Sequence, residues 1–276
     1  MSGILYVVGT PIGNLGDISP RALETLANCD FIAAEDTRVS LKLLNHFGIK
    51  KPMISYFEHN KFERGPIIAD KLLAGENGVI ITDAGMPAIS DPGEDLVRLC
   101  IEKGIKVEAV PGPCAFATAL AVSGMPSRRF TFEGFLPVEK NERKYIVNSL
   151  VNEERTMIFY EAPHKLSATL TDLAAALGDR DIAIVRELTK IHEQVIKTTL
   201  CAAAKKYSEE QLKGEIVLII SGAPRKEAEE MTLEQAVAYA NELIAKGETK
   251  TSAAKTAAKE SGFKKGDIYK ILTEEE

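Results

Sequence analysis

Three short segments rich in glycine and proline each follow an apolar run of the chain. They are residues 9–18 (GTPIGNLGDI), 82–93 (TDAGMPAISDPG) and 111–115 (PGPCA). Gly and Pro fix a rigid backbone there, and its N–H and C=O groups suit the recognition of an adenine ring or a carboxylate. Because loops that follow the strands of one parallel sheet meet at one edge, we expect the three segments to lie together.

The glycine spacing argues against two common nucleotide-binding loops. The first segment has glycines at positions 9, 13 and 16, which is not the G-x-G-x-x-G pattern of dinucleotide-binding folds. No G-x-x-x-x-G-K-[ST] phosphate loop occurs anywhere in the chain. We therefore expect neither a dinucleotide nor a nucleoside triphosphate as the ligand.

Three charged residues follow the apolar run at 31–34, in the sequence Glu35-Asp36-Thr37-Arg38. Glu35 or Asp36 could orient or deprotonate a hydroxyl group as a catalytic residue, while Arg38 contacts a phosphate. An alternative of equal weight is that this group only caps a helix and forms a surface ion pair.

Other polar candidates lie in later segments. Lys190 could act in the same cleft, as could His192, although a lone histidine is more often structural. His164 follows a proline at a predicted helix start, where it can bind RNA or cap the helix. Three more charged residues stand at strand ends without an assignable role: Arg186, Glu161 and Glu133.

One aromatic group has two interpretations. Tyr56, Phe57 and His59 could form a surface on which an extruded base stacks, or they could belong to the core.

Apolar periodicity predicts the elements that position these residues. Strands are expected at 4–8, 31–34, 78–82 and 106–110, with helices at 19–28 and 93–103. This alternation indicates βαβ units and a largely parallel sheet covered on both faces. A second α/β series follows, with helices at 115–123 and 163–177 and strands at 130–135, 156–160, 181–186, 194–200 and 215–220.

The predicted fold class is therefore α/β, with two α/β domains at residues 1–113 and 114–223 and a ligand cleft between them. A third module is expected at 224–276, where a charged segment at 224–230 is followed by helices. Thr232 is the expected N-cap of its first helix, and either Thr249 or Thr251 caps the second. The turn 261–263 then leads to a third helix, which predicts a helix-turn-helix.

Composition excludes several classes of protein. The 276 residues include 34 Lys and Arg against 40 Asp and Glu, for a net charge of -6. Because 45% of the residues are hydrophobic and 27% are charged, the chain is neither disordered nor fibrous. The negative net charge argues against nucleic-acid binding by the whole surface. Residues 246–270, however, hold seven Lys and three acids. That local excess indicates either RNA contacts, with Lys255, Lys264 and Lys265 as candidates, or an ordinary solvated helical face.

Cysteine spacing and the N-terminal sequence give two further expectations. The cysteines at 29, 100, 114 and 201 form no C-x-x-C pair, so we expect neither a disulfide framework nor a metal site. The first residues lack the features of a signal peptide, and the uncharged stretch 109–127 contains three prolines and two glycines. A cytoplasmic location is therefore expected.

Seven motifs in order resemble one family. Besides the segments at 9–18 and 82–93, they are AAEDTR at 33–38, VPGPCA at 110–115, FEGFLP at 132–137, FYEAPHK at 159–165 and VRELTKIHE at 185–193. Together they resemble the tetrapyrrole-methylase superfamily of S-adenosylmethionine-dependent methyltransferases. More narrowly, they resemble its small-subunit methyltransferase I family, which methylates a cytidine ribose 2′-hydroxyl in 16S ribosomal RNA. Cys114 stands where the commoner family pattern has serine.

The resemblance implies a homodimer whose two α/β domains hold S-adenosylmethionine in the cleft between them, with 16S rRNA of the small ribosomal subunit as the partner. It also implies that the cofactor is contacted by Ile12, Gly85, Met86, Ile89, Cys114, Ala115, Tyr160 and Leu188. Asp83 is a further candidate for contacts to polar groups of the cofactor. Two other functions stay open at this point. They are methylation of a tetrapyrrole-like small molecule, and RNA binding by a non-catalytic assembly factor.

Overall fold

The computed structural model describes residues 2–224 and 231–274. The chain forms two compact units, Met1–Ala223 and Pro224–Glu276. The first unit contains two five-stranded sheets, one built from strands before residue 111 and the other from strands after residue 129. The division of this unit into separate domains at residue 113 stays a prediction.

The first sheet is wholly parallel, as predicted. Its strands are β1 (Ile4–Val8), β2 (Phe31–Ala34), β3 (Met53–Ser55), β4 (Gly78–Ile81) and β5 (Lys106–Val110), in the spatial order β3-β2-β4-β1-β5. The intervening helices are α1 (Pro20–Asn28), α2 (Thr37–His46), α3 (Lys61–Leu73) and α4 (Gly93–Glu102). Because β4, β1 and β5 are neighbours, the segments that follow them leave the sheet at one edge.

Alternate residues of the inner strands β2 and β4 point to opposite faces, and both faces are buried. On β2, Phe31 packs with Leu5 in one apolar cluster, whereas Ile32 packs with Val8 in another. The same alternation separates Ile80 from its neighbours on β4. Burial on both faces explains why these strands read as continuous apolar runs.

The second sheet is mixed, which differs from the parallel arrangement that alternating strands and helices suggest. Its strands are β6 (Phe130–Phe135), β7 (Thr156–Glu161), β8 (Asp181–Arg186), β9 (Gln194–Thr199) and β10 (Ile216–Ile220), in the order β6-β7-β10-β8-β9. Only β6 and β7 pair in parallel, and the other three pairs are antiparallel. The chain passes from β8 to β9 without a helix, and such a connection makes neighbouring strands antiparallel.

Four helices accompany this sheet: α5 (Ala115–Ser123), α6 (Lys140–Ser149), α7 (Leu166–Leu177) and α8 (Leu200–Glu209). The small residue Ala119 lets α5 pack against Ile158 and Ile219 on one face. Leu170 of α7 and Leu200 of α8 pack on the other face. The helix predicted at 163–177 begins at Leu166, since a turn occupies the preceding residues.

The second unit has three described helices, α9 (Leu233–Ala245), α10 (Lys250–Ser261) and α11 (Lys265–Glu274). Fully buried alanines, among them Ala240, Ala254 and Ala257, form most of its core with Ile268. Their small side chains let the helices approach closely. The turn at 262–264 between α10 and α11 is consistent with the predicted helix-turn-helix, and most of the charged segment at 224–230 lies outside the described residues.

Two helices of the second unit begin at threonine N-caps that the sequence predicted. Thr232 and Gln235 form a reciprocal capping box at the start of α9. Thr249, rather than Thr251, caps α10, and its hydroxyl accepts the N–H of Ser252 at 3.3 Å.

No helix within the described residues, 2–224 and 231–274, is both long enough and apolar enough to cross a bilayer.

The cap of α10 can be tested with two neighbouring threonines. Thr249→Ala removes the acceptor for an otherwise unpaired helix N–H, so we expect a loss of about 1 kcal/mol, or roughly five-fold faster amide exchange in α10. Thr251→Ala changes an exposed residue of the first turn, and alanine is the better helix former there. Hydrogen exchange of both variants measures this. Equal destabilisation by the two substitutions would contradict the assigned cap.

Candidate functional site

Two backbone hydrogen bonds join the first two Gly/Pro segments. Thr10 N–H donates to the carbonyl of Gly85 at 2.9 Å, and Gly85 N–H donates to the carbonyl of Thr10 at 3.2 Å. The fully buried Thr10 hydroxyl also donates to the carbonyl of Thr82 at 3.1 Å. The segments after β1 and β4 are thereby held together without the help of exposed side chains.

The first and third segments touch through two glycines. A Cβ atom added to Gly112 would lie 2.7 Å from Cα of Gly9, and one added to Gly9 would lie 2.6 Å from Cα of Gly112. Side chains do not tolerate such distances, so only glycine fits at either position. All three segments therefore lie along one edge of the first sheet, as predicted.

A cavity of about 410 Å³ opens beside these segments, a size typical of small-molecule sites. The side of the first sheet supplies Ile12, Glu35, Thr82, Ala84, Gly85, Met86, Ile89, Ser90, Asp91, Cys114 and Ala115. The side of the second sheet supplies Phe135, Tyr160, Glu161, Ala162, Pro163, Val185, Leu188, Glu215, Ile216 and Val217.

Eight of the nine cofactor-binding candidates line this cavity: Ile12, Gly85, Met86, Ile89, Cys114, Ala115, Tyr160 and Leu188. The ninth, Asp83, does not. Its carboxylate accepts the backbone N–H of Asp36 at 3.1 Å, and partial burial raises the pKa of the Asp83 carboxyl. Asp83 is an exposed residue and thus joins the residues that follow β2 and β4 outside the cavity lining.

Four carboxylates line the cavity, namely those of Glu35, Asp91, Glu161 and Glu215. Within the part of the chain that the structure describes, no Lys, Arg or His accompanies them in the lining. The remaining walls are mostly aliphatic or aromatic. This composition favours a ligand that has apolar parts and carries positive charge.

Three of these carboxylates are held by hydrogen bonds. The hydroxyl of Thr82 donates to Glu35 Oε2 at 2.7 Å. Asp91 Oδ1 accepts the N–H groups of Ala88 at 2.9 Å and Gly93 at 2.7 Å, while burial raises the Asp91 pKa. Glu161, which is only 5% exposed, accepts the N–H of Ala162 at 2.7 Å.

Tyr160 connects the second sheet to α5. Its phenol oxygen accepts the backbone N–H of Phe116 at 3.2 Å. Burial raises the Tyr160 pKa to about 12, so the phenol stays protonated at neutral pH. The ring packs against Phe132 and Phe135, with centroids 4.9 and 5.5 Å away.

Backbone strain concentrates beside the cavity. Among the described residues, four that are not glycine have positive φ angles: Ala88 (66°), Ser90 (63°), Glu187 (52°) and Thr189 (66°). Ser90 lines the cavity, and Glu187 and Thr189 flank the lining residue Leu188. Such conformations cost about 1–3 kcal/mol each and persist where surrounding contacts impose them, often at functional sites.

Asp36 and Arg38 pair with each other. Asp36 caps α2, since its Oδ1 accepts the N–H of Arg38 at 2.8 Å, and Arg38 Nη2 lies 2.7 Å from Oδ2. Hydrogen bonds from Arg38 lower the Asp36 pKa to about 2. This is the geometry of a helix cap with a surface ion pair, and neither side chain lines the cavity.

Lys190 lies at the rim rather than in the wall. Its Nζ is 3.0 Å from Glu187 Oε1 and 3.2 Å from Oε2 of the lining residue Glu215. Burial works against its charge, but hydrogen bonds to the two glutamates outweigh it and raise the Lys190 pKa. The stem of Lys190 also occupies the space that a Cβ on Gly13 would need.

The RNA-binding candidates of the first unit have different surroundings. Arg186 donates to Gln194 Oε1 at 2.9 Å and to the carbonyl of Lys213 at 3.1 Å, outside the cavity lining. His164 is exposed and lines a separate groove. Lys255, Lys264 and Lys265 are exposed on the second unit.

Among the other candidates, only Glu161 lines the cavity. Glu133 and the exposed His192 do not. Tyr56 is 2% exposed in the core of the first sheet, whereas Phe57 and His59 are exposed. The expected stacking surface is therefore reduced to two rings, whose centroids lie 6.1 Å apart.

Sequence reasoning missed several lining residues. Asp91 and Phe135 lie inside motifs that had been singled out, so their proximity to the candidate ligand site was a usable signal. Glu215 and Val217 have no such signal, because β10 reaches the cavity only through the pairing of the second sheet.

The Gly9–Gly112 contact gives a direct test. Gly112→Ala places a methyl group against the backbone of Gly9, so we expect a destabilisation of about 1–3 kcal/mol and a lower melting temperature. Gly266→Ala, in α11 with no neighbouring atom within 4 Å of the added Cβ, is the control and should not destabilise the protein. Calorimetry compares them. A Gly112→Ala variant that melts with the wild type would mean that the segments are not in contact.

The comparisons with known proteins agree with this fold. Residues 4–204 match the family described as Tetrapyrrole (Corrin/Porphyrin) Methylases. A protein of Synechocystis sp. named "Ribosomal RNA small subunit methyltransferase I" is 46% identical over 273 residues, covering 99% of this chain and 98% of that protein. A protein of the same name from Thermotoga maritima is 46% identical over 220 residues, covering 80% of this chain and 99% of that protein.

Solved structures share the fold at lower identity. One is uroporphyrin-III C-methyltransferase from Thermus thermophilus complexed with S-adenosylhomocysteine, with a TM-score of 0.56, 16% identity and coverage of 79% of this chain and 97% of that one. Diphthine synthase gives a TM-score of 0.60 at 14% identity, covering 80% and 90%. From the family match and the near-full-length relatives, the chain belongs to the tetrapyrrole methylase family, in the group named ribosomal RNA small subunit methyltransferase I.

Proposed function

We propose that this protein transfers a methyl group from S-adenosylmethionine to the ribose 2′-hydroxyl of a cytidine in 16S rRNA of the small ribosomal subunit. The observation that carries the proposal is the acidic cavity at the edge of the first sheet, in a chain 46% identical over nearly its whole length to a named rRNA methyltransferase. The motifs at 132–137, 159–165 and 185–193 all contribute to the walls of that cavity.

The cavity suits the chemistry of this cofactor. S-adenosylmethionine has a positively charged sulfonium and ammonium group, one carboxylate, an adenine ring and a polar ribose, so its net charge is positive. Glu35, Asp91, Glu161 and Glu215 offer negative charge, and aliphatic residues such as Ile12 offer apolar surface. A phosphate-bearing cofactor would instead need cationic or backbone N–H partners.

In this proposal the three fixed segments hold the cofactor. Ile12, Gly85, Met86, Ile89, Cys114 and Ala115 shape one wall, while Tyr160 and Leu188 shape the other. The bound cofactor supplies a methyl group on a positively charged sulfur that leaves readily. The chain's own task is to orient the acceptor hydroxyl and remove its proton, and positioning alone can contribute about 7–11 kcal/mol.

Glu35 is the proposed proton acceptor. Its carboxylate lines the cavity, and the bond from Thr82 to Oε2 leaves Oε1 to receive a proton from a bound hydroxyl. Asp36 is a weaker candidate because a carboxylate with a pKa of about 2 is a poor base. Lys190 is charged, so its proposed role is to stabilise negative charge at the rim rather than to accept the proton.

The RNA contacts are also part of the proposal. Arg38, His164 and Arg186 are the candidates in the first unit, and Lys255, Lys264 and Lys265 are those in the second. We assign the second unit, on which these lysines are exposed, an auxiliary role in RNA binding. The homodimer and the cytoplasmic location stay predictions.

Methylation of a tetrapyrrole-like molecule is not favoured. The uroporphyrin-III C-methyltransferase described above is only 16% identical to this chain, which supports the fold alone. The relative that covers 99% of this chain carries the name of an rRNA enzyme.

The reaction can be tested with methyl-labelled cofactor and either small ribosomal subunits or naked 16S rRNA. Methylation of a 2′-hydroxyl blocks alkaline and ribonuclease cleavage at the adjacent phosphodiester, so we expect the label in a nuclease-resistant dinucleotide that contains cytidine. Label on a base, or incorporation into a porphyrin but not RNA, would overturn the proposal.

The proton acceptor can be tested with two adjacent residues. Glu35→Gln keeps an acceptor for Thr82 but removes the base, so we expect kcat to fall about 10²- to 10⁴-fold. Asp36→Asn keeps a good N-cap and loses only an exposed ion pair, so kcat should change little. Calorimetry with S-adenosylhomocysteine controls for cofactor affinity. Full activity of Glu35→Gln, or an equal loss in both variants, would refute the assignment.

A further inference from the structure

A second concave surface, of about 730 Å³, lies between α6 and α7. We call it the α6–α7 groove. Its floor is apolar at the buried Val147, and the exposed side chains of Val138 and Ala168 add apolar surface beside it. Its charged side chains are mainly cationic, in contrast to the acidic cavity described above.

Three lysines of the groove have unneutralised charge. The guanidinium of Arg143 is taken up by Asp172, with Nε 2.7 Å from Oδ2, and Asp172 is the only carboxylate in the described lining. Lys140, Lys144 and Lys165 also line the groove, and none has an ion-pair partner among the residues that the structure describes.

Two chain segments lead from the cavity directly into this groove. Residues 161–163 line the cavity and 164–165 line the groove. Likewise Phe135 lines the cavity, and residues 137–138 line the groove. The Phe135 ring is 56% exposed where these two surfaces approach each other.

Hydrogen bonds also join the two surfaces. The hydroxyl of Thr169 donates to Oε2 of Glu161, which lines the cavity. Arg143 Nη2 in turn donates to Thr169 Oγ1 at 2.9 Å. Two hydrogen bonds therefore connect Arg143 in the groove to the carboxylate of Glu161 in the cavity.

We propose that the α6–α7 groove binds an unpaired RNA strand next to the methylated nucleotide, with its phosphates on Lys140, Lys144 and Lys165. The proposal rests on RNA being the substrate. Negative phosphates are repelled by the four carboxylates of the cavity, so the strand needs a separate cationic path that begins at the cavity mouth.

The apolar floor favours an unpaired strand over a duplex. A duplex presents phosphates and riboses and hides the faces of its bases. An unpaired strand exposes both phosphates and bases, and single-strand sites combine cationic edges with apolar surface for this reason. Lysines beside Val138 and Ala168 provide that combination.

The test compares two triple variants that remove equal charge. The groove variant carries Lys140→Ala, Lys144→Ala and Lys165→Ala. The control carries Lys50→Ala, Lys103→Ala and Lys205→Ala, three exposed lysines outside the groove and the cavity. Fluorescence anisotropy measures binding of a labelled single-stranded 16S rRNA fragment, and of the same fragment in a duplex, between 50 and 200 mM salt.

We expect the groove variant to bind the single strand at least ten-fold more weakly at low salt. The slope of log K against log salt should fall by about 2, since each phosphate contact to a single strand contributes about 0.7. The control should stay near the wild type, and affinity for S-adenosylhomocysteine should be unchanged in both. A ten-fold loss confined to the groove variant supports the proposal.

Other outcomes overturn it. Equal losses in both variants would mean only a general charge effect. A duplex bound as tightly as the single strand would refute the unpaired-strand assignment. Loss of dimers by the groove variant in sedimentation, in parallel with its RNA affinity, would make the groove an interface between two copies of this chain.

The experiments can refute the proposed role of the groove and the proposed reaction independently. Methyl transfer to RNA with unaltered binding by the groove variant would refute the groove alone. RNA binding through the groove without methyl transfer would refute the reaction alone.

Discussion

The close approach of Gly9 and Gly112, together with the Thr10–Gly85 bridge, is the constraint on which the site depends. Three loops that follow neighbouring strands form one wall because their backbones touch. Backbone contacts of this kind do not vary with side-chain rotamers, so the wall is fixed before a ligand arrives. Preorganisation lowers the entropy lost on binding and allows small or apolar residues such as Ile12 and Ala115 to shape a specific pocket.

Charge is divided between two adjoining surfaces of the first unit. The cavity gathers carboxylates, which favours a cationic ligand, and the α6–α7 groove presents lysines. A methyltransferase that acts on RNA must hold a positively charged cofactor next to a polyanion. Because the negative and positive charges lie on separate surfaces, the cofactor is attracted to the cavity and the RNA to the groove. Residues 161–165 connect these two surfaces.

Much of the fold follows from apolar periodicity. The strands at 4–8, 31–34 and 106–110 were predicted with their observed bounds. The first two are uninterrupted apolar runs, whereas 106–110 (KVEAV) is a partly exposed edge strand that ends at the proline of the third segment. Elements without that signal were not predicted. Helix α3 contains Gly65-Pro66, a dipeptide typical of a turn, and β3 has only three half-buried residues. The mixed pairing of the second sheet also went unpredicted, since it depends on which strands are neighbours.

The sequence by itself determined the identity of the loops, because proline fixes φ and glycine admits backbone conformations closed to other residues, and both effects are local. It also determined eight of the residues that line the cavity, through motifs whose order resembles one family. Only the tertiary structure decided which carboxylates face inward. Asp36 and Glu35 are adjacent in sequence, yet one caps a helix with Arg38 and the other lies in the cavity with Glu215, which is 180 positions away. Such groupings arise from sheet pairing between distant strands, and no local pattern encodes them.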